Sequence, residues 1–228
     1  MIAENVKNIR QRIASACQRV GRSVEEVTLI AVAKTFTADD IRTATDAGVL
    51  DIGENYVQEL KGKYGDLHDE NIRWHFIGHL QRNKVKEIIS WIHLIHSVDS
   101  ARLAEEISRQ AKNIGRTIHI LVEINTSGEQ TKYGVRPEDA VNVVKELQQF
   151  SNVSVDGIMT IGQFLPNPED SRPTFRTMRQ IKERLLENGI SVQHLSMGMS
   201  NDFEIAVEEG ATFVRVGTLI FGKRTNHN

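Results

Sequence analysis

The sequence predicts a single (β/α)8 barrel with one extra helix at its N-terminus. Short apolar runs alternate with stretches of helical periodicity along the whole chain, the mark of an α/β fold. Eight such runs occur within about 200 residues, a minimal length for a barrel of eight units. The runs are apolar almost throughout, as parallel strands covered on both faces must be. An open doubly wound sheet is the other arrangement available to the same units. No composition break and no Pro/Gly/Ser linker divides the 228 residues, so 1–228 reads as one domain.

Residues 1–20 form the first element. Ile2, Val6, Ile9, Ile13, Cys17 and Val20 recur at steps of three and four and predict a helix packing one apolar face on the barrel. Lys7, Arg10, Arg12 and Arg19 against a single acid, Glu4, have the look of a transit segment. No short apolar core with a small-residue cleavage site accompanies them, so a folded helix is the better reading. TLIAVA at 28–33 is too short for a buried helix and suits a strand. The other strands are expected at 49–52, 72–77, 92–98, 118–124, 153–160, 193–196 and 212–216. Helices are expected between them at 38–47, 56–63, 83–89, 101–113, 137–150, 173–187 and 202–209. Gly48, Gly115, Gly189 and Gly210 each follow a helix, where a left-handed residue ends it. Pro137 suits a first helical turn. The stretch 162–172, with Pro166 and Pro168, reads as a surface loop.

Composition excludes several function classes. Lys plus Arg total 28 and Asp plus Glu 30, a net charge of −2, which leaves no basic surplus for gripping nucleic acid. The apolar fraction of 39% is ordinary for a globular chain, and a chain of this length buries roughly 70–75% of its unfolded surface. The single Cys excludes a disulfide framework and a Cys-based zinc site, and fits a reducing, cytoplasmic setting. No run approaches the roughly 18–20 apolar residues of a membrane span.

In such a barrel the active site lies at the C-terminal ends of the strands. Those ends carry Lys34-Thr35, Gly53-Glu54-Asn55, His75 to Gly78, Asp99, Asn125, Thr160, Ser196 to Ser200, and Arg215 to Thr218. Lys34 follows directly on TLIAVA. It is either a snorkelling strand-end lysine or a desolvated amine, and the latter is poised to form a Schiff base with a carbonyl. Ser196, Gly198 and Ser200 after the seventh strand, and Gly217 and Thr218 after the eighth, offer hydroxyls and close backbone approach where barrels hold phosphate. Gly and Ser also mark ordinary turns. Together these features suggest a phosphorylated aldehyde held between Lys34 and the two turns.

The stretches AVAKT (31–35), GENYVQE (53–59), WHFIGHLQRNK (74–84), SMGMSND (196–202) and RVGTLIFG (215–222) resemble the pyridoxal phosphate homeostasis protein family, collinearly over essentially the whole chain. The resemblance implies a barrel like the alanine racemase N-terminal domain (PLP fold type III) and pyridoxal 5′-phosphate as cofactor. It implies Lys34 as the Schiff-base lysine, and Ser196, Met197, Gly198, Ser200, Gly217 and Thr218 around the phosphate. Arg215 would face the pyridine nitrogen, and Asn55 and His75 would line the cofactor. Family members often carry Pro two or three residues after the lysine; here Thr35-Phe36-Thr37 follow, which puts the rigidity of that loop in question. A permanent cation at the ring nitrogen disfavours its protonation and makes the ring a poorer electron sink. As a bland alternative, Arg215 is a strand-end salt bridge.

Other residues weigh less. His75 and His79 have zinc-like spacing, but Gly78 argues against a helix there and no third ligand is evident. Cys17 reads as packing, Asp99 as a helix N-cap, and Lys132 as a solvated loop lysine. Three functions compete. One is a protein that holds and buffers the cofactor, with PLP-requiring apo-enzymes as partners and little turnover. The second is an amino-acid racemase, for which only Tyr56, Tyr64 and Tyr133 could supply a phenol. The third is a cofactor-free Schiff-base aldolase. The expected state is a cytoplasmic monomer without nucleic-acid or membrane partners.

Overall fold

The computed structural model describes residues 1–68, 71–129 and 133–222. Eight parallel strands close into a barrel in sequence order: β1 (Thr28–Val32), β2 (Asp51–Glu54), β3 (Arg73–Phe76), β4 (Leu94–Val98), β5 (Ile118–Glu123), β6 (Val153–Met159), β7 (His194–Ser196) and β8 (Phe213–Val216). The doubly wound alternative is thereby excluded. β8 returns to β1 with Ile30 opposite Arg215 and Ala31 opposite Val216. The helices are α1 (Ile2–Arg19), α2 (Ala38–Asp46), α3 (Val57–Leu67), α4 (Ala101–Asn113), α5 (Ala140–Leu147), α6 (Arg172–Glu187), α7 (Phe203–Glu208) and α8 (Thr218–Phe221). No helix among the described residues is long and apolar enough to cross a membrane.

Two apolar cores result. The larger lies between strands and helices; the smaller fills the barrel interior with Ile30, Leu94, Leu121, Met159 and Phe213. α1 buries Val6, Ile9, Ile13 and Cys17 as expected, while Val20 falls beyond the helix end and is exposed. That helix packs across α2, α7 and α8, and Asn5 Nδ2 donates to the Ile220 carbonyl. Burial pushes the Cys17 thiol pKa up, consistent with a packing role.

Several boundaries differ from expectation for physical reasons. The predicted helix at 83–89 is a 3-10 turn, Arg82–Glu87, and the buried Val85 and Ile88 keep its three-residue repeat. α5 begins at Ala140, so Pro137 sits in the preceding turn. α3 runs on to Leu67, through Gly62 and Gly65. Ser100, not Asp99, occupies the N-cap of α4, and its hydroxyl donates to Asp99. The loop at 162–172 contains a 3-10 turn, Pro168–Ser171.

The turn from β7 to α7 depends on Gly198. Its φ is +88°, and a Cβ there would come within 2.5 Å of the Ala206 methyl. Gly198→Ala combines left-handed strain with overpacking and should cost about 2–4 kcal/mol. A lowered urea midpoint with an unchanged m-value is the expected result.

Candidate functional site

The site begins where β1 stops. Lys34 lies just past Val32, half-buried, and the next residue is conformationally unusual. Thr35 has φ +70°, the only left-handed non-glycine residue described. A β-branched residue in that region is strained by about 1–3 kcal/mol and persists only where its surroundings hold it. Here α3 does so. The Thr35 N–H donates to Glu59 Oε2 at 2.8 Å, and Lys63 Nζ donates to the Ala33 carbonyl at 2.7 Å. Lys63 also pairs with buried Glu54, whose carboxyl pKa is raised by burial against the opposing pull of Lys63. Phe36 stacks on Phe221 of α8 with ring centroids 4.8 Å apart. Side chains from α3 and α8 thus hold the loop, in which Thr35-Phe36-Thr37 carry no proline.

Lys34, Asn55, Ser200, Arg215, Gly217 and Thr218 line one cavity of about 500 Å³ at the C-terminal rim. Its apolar walls include Ile77, Ile161, Phe164 and Leu219, so the irregular stretch after β6 contributes a wall as well as covering the surface. The turns after β7 and β8 are joined: Ser200 Oγ accepts from the Gly217 N–H at 3.3 Å. Asp202 Oδ1 accepts from the Met199 N–H at 2.7 Å, and Asn201 Nδ2 donates to the Leu165 carbonyl at 2.8 Å. Asn55 Oδ1 is buried and has no hydrogen-bond partner. The adjoining Gly78 must be glycine, because a Cβ would fall 2.2 Å from the Asn55 carbonyl oxygen.

Arg215 is buried at the floor of the cavity. Nη1 donates to Ser196 Oγ at 2.5 Å and Nη2 to the Thr160 carbonyl at 2.7 Å, so neither partner is a carboxylate and the salt-bridge alternative does not hold. Burial pushes its pKa down to about 10, against the opposing charges of Glu123 and Asp202, and it stays cationic at neutral pH.

Four expected residues do not line the cavity. His75 is fully buried in the barrel interior, hydrogen-bonded to Asp51 and His96, because it sits within β3 and not at its end. Ser196 is enclosed by Arg215 and His96. Met197 packs into the larger apolar core. Gly198 shapes the turn, and its carbonyl accepts from the Arg215 backbone N–H at 3.0 Å. His79 stacks on Tyr133 outside the cavity, and no metal-holding group of side chains occurs among the described residues. Lys132 lies outside the described residues.

Glu123 and His96 escaped the sequence reading. Both interrupt apolar strand runs, whereas Lys34 was singled out by following the end of one. His96 is fully buried, which holds its pKa well below the ordinary imidazole value. Burial, together with the charge of Asp99, raises the Glu123 carboxyl to about 7, and Arg215 offsets part of this.

The family model described as "Alanine racemase, N-terminal domain" matches residues 3–225. The chain is 45% identical over 222 residues to a pyridoxal phosphate homeostasis protein of Aquifex aeolicus (strain VF5), covering 97% of each chain. It is 36% identical over 230 residues to a protein of the same name from Escherichia coli (strain K12), covering 98% of this chain and 97% of the other. Among solved structures, PipY of Synechococcus elongatus PCC7942, with PLP bound, superposes with a TM-score of 0.85 at 34% identity, covering 97% of this chain and 100% of that one. An alanine racemase of Clostridium difficile 630 superposes with a TM-score of 0.72 at 16% identity, covering 98% of this chain and 58% of the other, a likeness of fold.

Glu123 generates a pH prediction. Its folded pKa of about 7 lies above the ordinary value of 4.5, so its contribution to stability is complete below about pH 4.5 and is lost as pH rises towards 7. Glu123→Gln removes that loss. The difference in melting temperature, variant minus wild type, should rise between pH 4.5 and 7 and then level off.

Proposed function

The chain belongs to the pyridoxal phosphate homeostasis protein family, and from that premise we propose that it holds pyridoxal 5′-phosphate at the Lys34 cavity as a reserve for PLP-requiring apo-enzymes, with little turnover of its own. The observation that carries this reading is the convergence of Lys34, Arg215 and the joined Ser200–Gly217 turn on one cavity.

The residues present fit the cofactor. Asn55 Oδ1 is a buried acceptor in need of a donor, and a phenolic hydroxyl supplies one. At Gly217 a Cβ would come within 3.1 Å of the Val32 carbonyl, so the chain there passes close to β1 and keeps its backbone at the cavity edge. Lys34 is the amine for covalent attachment. Ser200 and Thr218 are the hydroxyls for the phosphate, beside the backbone amides that open α8. Behind them Gly198 shapes the turn, and Ser196 acts through Arg215. Bound in this way, the cofactor supplies an aldehyde carbon and a conjugated ring that serves as an electron sink. Arg215 supplies a cation whose proton is hard to give up, and placed at the ring nitrogen it weakens that sink.

Two-base racemisation requires an acid or base on each face of a substrate. None of Tyr56, Tyr64 and Tyr133 lines the cavity; Tyr64 stacks on Trp91 and Tyr133 on His79. This supports holding over turnover.

Borohydride reduction followed by peptide mapping tests the reading. A single phosphopyridoxyl adduct on Lys34, absent in Lys34→Ala, is expected. A colourless protein modified only in the presence of a sugar phosphate would instead indicate an aldolase. Robust racemisation of an amino acid, lost in Lys34→Ala, would replace the reserve with an enzyme. Arg215→Glu should alter the visible spectrum of the loaded protein towards that of a protonated ring, and an unchanged spectrum would move Arg215 away from the ring nitrogen.

A further inference from the structure

A continuous line of buried hydrogen bonds crosses the barrel beneath the cavity. Arg215 Nη1 reaches Ser196 Oγ at 2.5 Å, and Ser196 Oγ lies 2.9 Å from His96 Nδ1. His96 Nε2 lies 2.9 Å from His75 Nδ1, and His75 Nε2 lies 2.9 Å from Asp51 Oδ1. Asp51 accepts in turn from Arg73 Nε at 2.8 Å and Nη2 at 2.5 Å. The line passes through β8, β7, β4, β3 and β2, and it leaps the lumen from β7 to β4, which are not neighbours in the sheet. Phe213 packs against both imidazoles, with ring centroids 5.8 Å from His75 and 5.6 Å from His96. Both histidines and Ser196 have no solvent exposure.

The chemistry at the two ends dictates the direction of every bond between them. A guanidinium only donates, and an ionised carboxylate only accepts. Asp51 is ionised at neutral pH, its pKa held at about 2 by hydrogen bonds from His75 and Arg73 that outweigh burial. Full burial keeps both imidazoles on the neutral side, against the pull of Asp51 on His75. Ser196 accepts from Arg215, so its hydroxyl hydrogen goes to His96 Nδ1. A neutral His96 must then carry its hydrogen on Nε2 and donate to His75 Nδ1. By the same logic His75 carries its hydrogen on Nε2 and donates to Asp51. Each member has one arrangement open to it, and such aligned chains strengthen one another in a medium of low dielectric.

We propose that Asp51, His75, His96 and Ser196 are positioning residues for Arg215, forming a one-way relay that fixes the guanidinium at the cavity from the opposite side of the barrel. The role of that guanidinium towards a bound ring rests on the function proposed above; the relay itself does not. His75, which the sequence resemblance places beside the cofactor, acts at a distance of three hydrogen bonds from Arg215.

The test has two parts. In the protein without ligand, nitrogen-15 spectra of labelled histidine should show His75 and His96 as neutral Nε2–H tautomers at pH 7. An Nδ1–H tautomer or an imidazolium at either residue would overturn the relay. In the same protein, Ser196→Ala and Asp51→Asn should each speed hydrogen exchange at the Arg215 Nη groups by about fivefold, the protection of roughly one buried hydrogen bond. Unchanged exchange in a folded Ser196→Ala protein would overturn the proposal, and this variant serves if Asp51→Asn fails to fold. In the loaded protein both variants should shift the visible band in the same direction, and the double variant no further than either single one. Additive shifts would mean two independent structural effects and would overturn it. Failure of the protein to take up pyridoxal phosphate would remove the proposed function, while the tautomers and the Arg215 exchange still decide the relay.

Discussion

The closing seam between β8 and β1 is the constraint on which the site depends. Lys34 leaves the end of the first strand and Thr218 follows the last, so they come from opposite ends of the chain. Parallel pairing of Thr28 to Ala31 with Phe213 to Val216 sets the two strand ends side by side. The lysine loop then stands next to the turn that carries Gly217 and Thr218, and Phe36 seats on Phe221 to hold the two together. A slip of one residue in this seam would turn Arg215 from the interior to the helix-facing side, because strand side chains alternate.

The barrel interior is divided between two kinds of packing. A layer of Ile30, Leu94, Leu121, Met159 and Phe213 excludes water. Through it runs a polar column of Asp51, His75, His96, Ser196 and Arg215. Such a column is costly if any member lacks a partner and rigid if all are satisfied. The two features support each other, since Phe213 of the apolar layer packs on the histidines of the column. Asp51 reaches the surface through Arg73, so the anionic end is compensated at a half-exposed position and the cationic end sits at the cavity.

Much of this was legible in the sequence where a residue type is forced by backbone or burial. Gly48, Gly115, Gly189 and Gly210 all take the left-handed conformation expected after their helices. Lys34 stood out because a lysine ends an apolar run, and Arg215 through its place on the last strand and the family resemblance. Depth within the barrel was not legible. Alternation predicts which face a residue takes, but not whether it lies at the rim or a layer below it, so His75 and Ser196 were placed one layer too high. His96 was invisible for a related reason: its meaning comes from partners on β3 and β7, which only closure brings near. The clamp on Thr35 was equally hidden, because Glu59 and Lys63 read as ordinary charges on an exposed helix face until α3 is laid against β1.

Phe164 is 78% exposed, and with Ile161 it forms an apolar wall on one side of the cavity. A side chain so little restrained by neighbours can swing aside by rotation about its own bonds, on a timescale of nanoseconds. That rotation parts no strands, so this wall can change shape while the seam, the clamp and the polar column keep theirs.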